Sequence, residues 1–145
     1  MENLIGDKFV NNKLEDVNPE EVFNCKIICL FFTASWCSPC EIFSKQLLEV
    51  YEEANQGEKF FEIIAVSFEK NEQNFKSFVS DKPWVFIPYG NSKIEELKEK
   101  YNILNIPVFY AMDNKGNIIT DDARKQISEF GINIVEKWIK DNNIK

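Results

Sequence analysis

The chain has 145 residues, 44% hydrophobic and 28% charged, which suits one domain with its own core and argues against disorder. Its net charge of -7, from 17 basic and 24 acidic residues, argues against nucleic acid as a partner and fits solubility or basic protein partners. Histidine is absent, which excludes Ser-His-Asp and Cys-His catalysis, His-ligated zinc hydrolases and His-based pH switches. The longest apolar run, Ile27–Phe32, is far shorter than the roughly 20 residues of a membrane span. Met1–Leu4 shows no basic region leading into an apolar stretch, so no secretory signal is read and a cytoplasmic location without membrane contact is expected.

Residues 1–24 are polar with scattered apolar anchors, and one short strand and a turn are expected before Pro19. Lys26–Thr33 is an Ile- and Phe-rich run that reads as a strand buried on both faces. Cys37–Gln56 repeats apolar residues at Phe43, Leu47, Val50, Tyr51 and Ala54, the spacing of a helix, with Gly57 as its stop. Phe60–Phe68 is a second buried strand, so the order is strand, helix, strand: a βαβ crossover. Asn71–Val79 predicts a short helix, and Pro83–Pro88 an apolar loop between prolines. Ser92 and Glu95 form a capping box that opens a helix to about Tyr101. Val108–Met112 and Asn117–Thr120 predict strands joined by a hairpin turn at Asp113–Gly116, and Ile132–Asp141 a closing amphipathic helix. No repeat or linker divides the chain, so residues 1–145 are read as a single domain.

Four cysteines are too few for a disulfide-built scaffold, and their spacing matters more than their number. Cys37-Ser38-Pro39-Cys40 is a C-x-x-C where the first strand hands over to the helix. A thiol is a good nucleophile at neutral pH only when its thiolate is stabilised, and the free N–H groups and positive dipole end of a helix do this. Cys37 falls at that end, with Cys40 one turn on and within disulfide reach. The expected chemistry follows: the Cys37 thiolate attacks a disulfide, and Cys40 attacks the resulting mixed disulfide to release the reduced product. Pro39 suits a helix start because it needs no N–H there. Trp36 reads as a flat substrate platform beside the nucleophile or as a core aromatic. Pro107 opens a strand, a tolerated place for proline, and a cis bond there would expose the preceding backbone. Cys25 and Cys29 are expected to share a strand face roughly 13 Å apart, too far to bond or to hold one metal together. They read as inert buried thiols, with an exposed regulatory Cys25 as the alternative, and no metal site is expected.

Trp36-Cys37-Ser38-Pro39-Cys40 after a buried strand, with Ile106-Pro107 before a later one, resembles the thioredoxin superfamily. The stretch between Cys40 and Pro107 is longer than in ordinary thioredoxins and contains Lys82-Pro83-Trp84-Val85-Phe86-Ile87-Pro88, similar to a segment of tryparedoxins and nucleoredoxins. Ala123-Arg124-Lys125-Gln126-Ile127, followed by Gly131 and Trp138, is similar to the C-terminal part of nucleoredoxin-like proteins. The resemblance implies an α/β thioredoxin fold, a central mixed sheet flanked by helices on both faces, and a cis bond at Ile106-Pro107. It implies disulfide reduction at Cys37 and Cys40, with Trp36, Ser38 and Pro39 in the active-site loop and Ile106, Pro107 and Trp84 along the substrate groove. Protein disulfides are the implied substrates, with a small dithiol, glutathione or a thioredoxin-type reductase as electron donor and no bound cofactor.

Two departures bear on the chemistry. Ordinary thioredoxins carry a buried Asp on the strand before the C-x-x-C, where this chain has Phe31. The proton acceptor for Cys40 is then water or Glu69, which otherwise reads as a solvated carboxylate. Glu41 stands where relatives have Lys or Arg, and its charge is expected to make Cys37 less acidic than a basic neighbour would. A partner-binding module with little turnover is the rival to an enzyme; two cysteines in the motif favour the enzyme. A membrane-tethered protein of cytochrome maturation would need an export segment. A peroxidase would need a Thr one position nearer the reactive cysteine than Thr33, and an Arg nearer than Arg124.

Overall fold

The central strand explains the architecture. Strand β1 (Ile27–Thr33) is buried at all seven positions, because a strand alternates its side chains and both of its faces are covered. Ile27, Cys29 and Phe31 enter one apolar cluster, and Ile28, Leu30 and Phe32 enter another. The computed structural model describes residues 1–144. Strand β2 (Phe61–Ser67) lies parallel to β1 with Leu30 opposite Ile64, and β3 (Val85–Phe86) extends that side in parallel. On the other side, β4 (Val108–Asp113) is antiparallel to β1, and β5 (Ile118–Thr120) is antiparallel to β4. The order is β3-β2-β1-β4-β5.

Helices cover both faces. The cluster holding Phe31 is closed by α3 (Ser38–Ala54), α4 (Glu72–Val79), α6 (Ala123–Phe130) and α7 (Ile132–Asp141), which contribute Leu47, Phe75, Ile127 and Trp138 among others. The cluster holding Phe32 is closed by α1 (Glu2–Ile5), α2 (Pro19–Phe23) and α5 (Lys93–Lys100), through Ile5, Val22 and Leu97. This is the expected mixed sheet between helical layers, an α/β thioredoxin fold.

Several local expectations need correction. Residues 1–24 hold α1 and α2, and extended pairing there is limited to single bridges from Val10 to Asp16 and Phe86. Asn18 starts α2 by accepting a hydrogen bond from the Glu20 N–H at 3.0 Å, with Pro19 behind it. Inside the expected Pro83–Pro88 loop, Val85 and Phe86 pair with Ile64 and Ala65 to form the edge strand β3. Helix α3 stops at Ala54, before Gly57, because the Asn55 side chain instead bonds to the backbone of Phe60 and Phe61. Ser92 makes no side-chain cap; the Asn91 carboxamide oxygen takes the Lys93 N–H at 2.9 Å. The Ala123–Ile127 motif lies on helix α6, which ends at Gly131, whose φ of 57 favours glycine.

Candidate active site

Thr33 ends β1, and four residues later the chain enters α3 with Cys37 as its N-cap. The Cys37 Sγ accepts a hydrogen bond from the Cys40 N–H at 3.3 Å, so a free amide of the helix's first turn points at the sulfur. Cys37 and Cys40 are joined by a disulfide with Cα atoms 5.3 Å apart, inside the ordinary range for such bridges. Ser38 and Pro39 form the first turn, and the proline costs no hydrogen bond there. Cys40 is fully buried and Cys37 is 7% exposed, so Cys37 is the more accessible of the two sulfurs.

The Ile106–Pro107 peptide is cis, and the Ile106 carbonyl oxygen lies 3.9 Å from the Cys37 Sγ. Residues far apart in sequence thus meet because β1 and β4 are neighbours in the sheet. A depression of about 500 Å³ runs beside Pro107 and along the start of α6, lined by Val108, Asp121, Arg124 and Lys125. Trp36 is 54% exposed; its indole N–H donates to the Phe68 carbonyl at 2.8 Å, and Lys70 sits over the ring at 5.9 Å. The exposed platform reading of Trp36 therefore matches its position better than the core reading.

Trp84 does not join this surface. It is 1% exposed and packs edge-on against Phe31 and Tyr51, at 6.2 and 5.8 Å between ring centroids. The insertion that carries it folds inward as β3, so its ring fills the core instead of a substrate groove. Glu69 also takes a different place from the one expected. It accepts the Ser35 N–H at 2.8 Å and the Ser67 hydroxyl at 2.9 Å, and it bonds to the Ser35 hydroxyl as well. Its partners lie in the loop before Trp36 and at the end of β2, and Cys40 is not among them. Ser35 is thus a site residue that the sequence reading missed; only pairing between the ends of β1 and β2 brings it to Glu69.

Phe31 occupies its strand position as a core aromatic, 5.5 Å from Phe43 and 5.7 Å from Phe109 between centroids. Glu41 turns one carboxylate oxygen toward Lys82, 3.7 Å away, so part of its charge is offset beside Cys40.

Cys25 and Cys29 are both buried and unpaired, but they do not share a strand face. Cys25 precedes β1 and packs in the Phe32 cluster, whereas Cys29 packs in the Phe31 cluster. Burial pushes the Cys25 thiol up to about 11, with the Glu62 charge adding to the effect, and burial likewise raises Cys29. Both are therefore held as thiols. Among the described residues, no three Cys, Asp or Glu side chains come together as a metal site.

A family profile described as thioredoxin-like matches residues 24–118. The chain belongs to the thioredoxin-like family. A probable nucleoredoxin 3 of Oryza sativa subsp. japonica is 36% identical over 114 residues, covering 78% of this chain and 24% of that protein. The chain spans about a quarter of the length of such nucleoredoxins. Among solved structures, a thioredoxin from Wuchereria bancrofti superposes with a TM-score of 0.79 at 30% identity, covering 94% of this chain and 96% of that one. Tryparedoxin I from Leishmania major gives 0.78 at 29% identity, with 88% of each chain covered. A tryparedoxin II complexed with glutathionylspermidine gives 0.75 at 25% identity, with 86% of each covered. These likenesses place the chain in the tryparedoxin/nucleoredoxin-like branch, and with the Cys37–Cys40 pair they support a general thiol oxidoreductase role.

Proposed function

We propose that residues 1–145 form a single thioredoxin-like domain that reduces protein disulfides through Cys37 and Cys40. The observation that carries this reading is the Cys37 sulfur at the tip of α3, receiving the Cys40 N–H and bonded to the Cys40 sulfur. In the reduced protein the same amide and helix dipole stabilise the Cys37 thiolate. That thiolate attacks one sulfur of a substrate disulfide, and the other leaves as a thiolate that takes a proton. Cys40 then attacks the Cys37 sulfur, the bond to the substrate breaks, and the substrate departs reduced by two electrons while the Cys37–Cys40 disulfide forms. Trp36 supplies an exposed aromatic face beside the reacting sulfurs. The Ile106 backbone and Pro107 form the opposite wall for a bound chain.

The cycle needs a donor to reduce the Cys37–Cys40 bond. A small dithiol, glutathione or a thioredoxin-type reductase would serve, and the glutathionylspermidine bound to a tryparedoxin supports the small-thiol class. The sulfurs carry the electrons, so no cofactor enters the scheme, and the reading includes neither nucleic acid nor a membrane. Among the described residues no helix is long and apolar enough to cross a membrane, and a cytoplasmic site of action suits a dithiol that must be kept reduced.

Insulin-disulfide reduction with dithiothreitol as donor tests the reading. Turnover is expected in the wild type and lost in Cys37→Ser, whereas Cys40→Ser accumulates a mixed disulfide with substrate. A wild type without turnover overturns it.

A further inference from the structure

Cys40 must lose its proton before it can attack, yet it is fully buried in an apolar setting with Ala34, Phe68 and Ile106. Of the four buried side-chain polar atoms without a hydrogen-bond partner among the described residues, three belong to Glu41, Ser44 and Trp84. All three residues line one cavity of about 90 Å³, together with Lys82. Such orphaned groups are costly unless water satisfies them, and this space exceeds the roughly 15 Å³ that one water requires. The cavity offers a matched set: the Trp84 indole N–H and the Lys82 ammonium donate, the Glu41 carboxylate accepts, and the Ser44 hydroxyl does both.

Cys40 is not itself on the cavity wall; Ser44 is the residue that links the two. Ser44 lies one turn beyond Cys40 on the same face of α3, and both are buried. Glu41 directly follows Cys40. Glu41, Asp81 and Lys82 also line a second space, of about 360 Å³, bounded by Ser35 and Ser77. The Glu41–Lys82 pair therefore stands between the inner cavity and this wider depression.

We infer that this cavity holds ordered water and that, through it, Glu41 takes the proton from Cys40. This deepens the proposed reductase reading and rests on it. In the step, the Cys40 S–H bond breaks and its proton passes through water at Ser44 to the Glu41 carboxylate. The Cys40 sulfur, keeping the electron pair, bonds to the Cys37 sulfur. The bond from Cys37 to the substrate breaks, and the substrate sulfur leaves with that pair and takes a proton from solvent. Glu41 then gives its proton to water in the wider depression. Lys82 fixes the carboxylate from 3.7 Å and is itself held by Asp81 at 2.6 Å, while Lys45 is the other charged group on the cavity wall. Glu41 and Ser44 act through water, so they are positioning residues for Cys40.

The aryl disulfide 5,5′-dithiobis(2-nitrobenzoate) separates the two steps by stopped flow. The reduced protein releases one thionitrobenzoate when Cys37 attacks and a second when Cys40 resolves. Glu41→Gln is expected to keep or raise the first rate and to slow the second at least about tenfold at pH 7. The second rate should then climb with pH far more steeply than in the wild type, and Glu41→Asp should restore part of it. Ser44→Ala should slow the same phase. Resolution in Glu41→Gln with the wild-type rate and pH profile overturns this inference alone, whereas a wild type that releases nothing overturns the reductase reading itself.

Discussion

Glu69, just past the end of β2, holds Ser35, just past the end of β1, through the Ser35 backbone N–H at 2.8 Å and the Ser35 hydroxyl. The next residue is Trp36 and the one after it Cys37, so one carboxylate sets where the active-site loop leaves the sheet. Glu69→Ala strips the partner from a partly buried N–H, which costs about 1–3 kcal/mol. The urea midpoint should fall accordingly, and insulin reduction should drop more than Cys37 alkylation does. An unchanged midpoint would show that the contact contributes nothing.

The two tryptophans of the motif region should separate cleanly. Trp84→Ala empties a core site between Phe31 and Tyr51 and should cost about 3–5 kcal/mol in urea unfolding. Trp36→Ala removes an exposed ring, so stability should shift by less than about 1 kcal/mol, while KM for a protein disulfide rises. Equal losses of stability would contradict the assigned positions.

Glu62 is a buried carboxylate on β2, bonded by the Tyr51 hydroxyl at 3.0 Å and the Lys59 ammonium at 2.5 Å. Burial raises its pKa above the ordinary 4.5, and the lowering by Lys59 and the hydrogen bonds does not cancel it. A raised pKa in the folded state means that the folded form binds the proton more tightly than the unfolded chain. The stabilising contribution is therefore full below pH 4.5 and is lost as pH rises through the folded value. The stability of the wild type relative to Glu62→Gln should accordingly fall from acid to neutral pH in urea titrations. A difference that does not change with pH would refute the shift.

Thiol counting checks the remaining cysteines. With Cys25 raised to about 11, Cys29 raised as well and Cys40 fully buried, only Cys37 should react quickly with iodoacetamide in the reduced native protein at pH 8. Mass spectrometry should find four modified cysteines after unfolding. Rapid native labelling of Cys25 would restore the regulatory alternative.

The cysteine pair was legible because its information is local. A C-x-x-C after an apolar run and before a helical repeat places one sulfur at a helix start and the other one turn on, whatever surrounds them. The buried strands were equally plain, since short unbroken runs rich in Ile and Phe favour a strand covered on both faces. Short-range competition decided the small elements differently. Asn91 outcompeted Ser92 for the cap, and Asn55 closed α3 before Gly57, because side-chain geometry and not residue type settles such contests.

What the sequence determined by itself is a placement: two sulfurs at one helix tip in a βαβ unit. The tertiary structure alone decided what faces them. Apolar rings such as Trp84 and Trp36 look alike in a chain, and only the pairing of Val85 and Phe86 with β2 turned one inward while the Phe68 carbonyl held the other at the surface. Contacts between Glu69 and Ser35, Glu41 and Lys82, or Ile106 and Cys37 span long stretches of chain. The Glu69–Ser35 and Ile106–Cys37 contacts exist because the sheet order brings strand ends together, and Glu41 meets Lys82 because the segment after α4 lies beside the start of α3; both are properties of the packed whole.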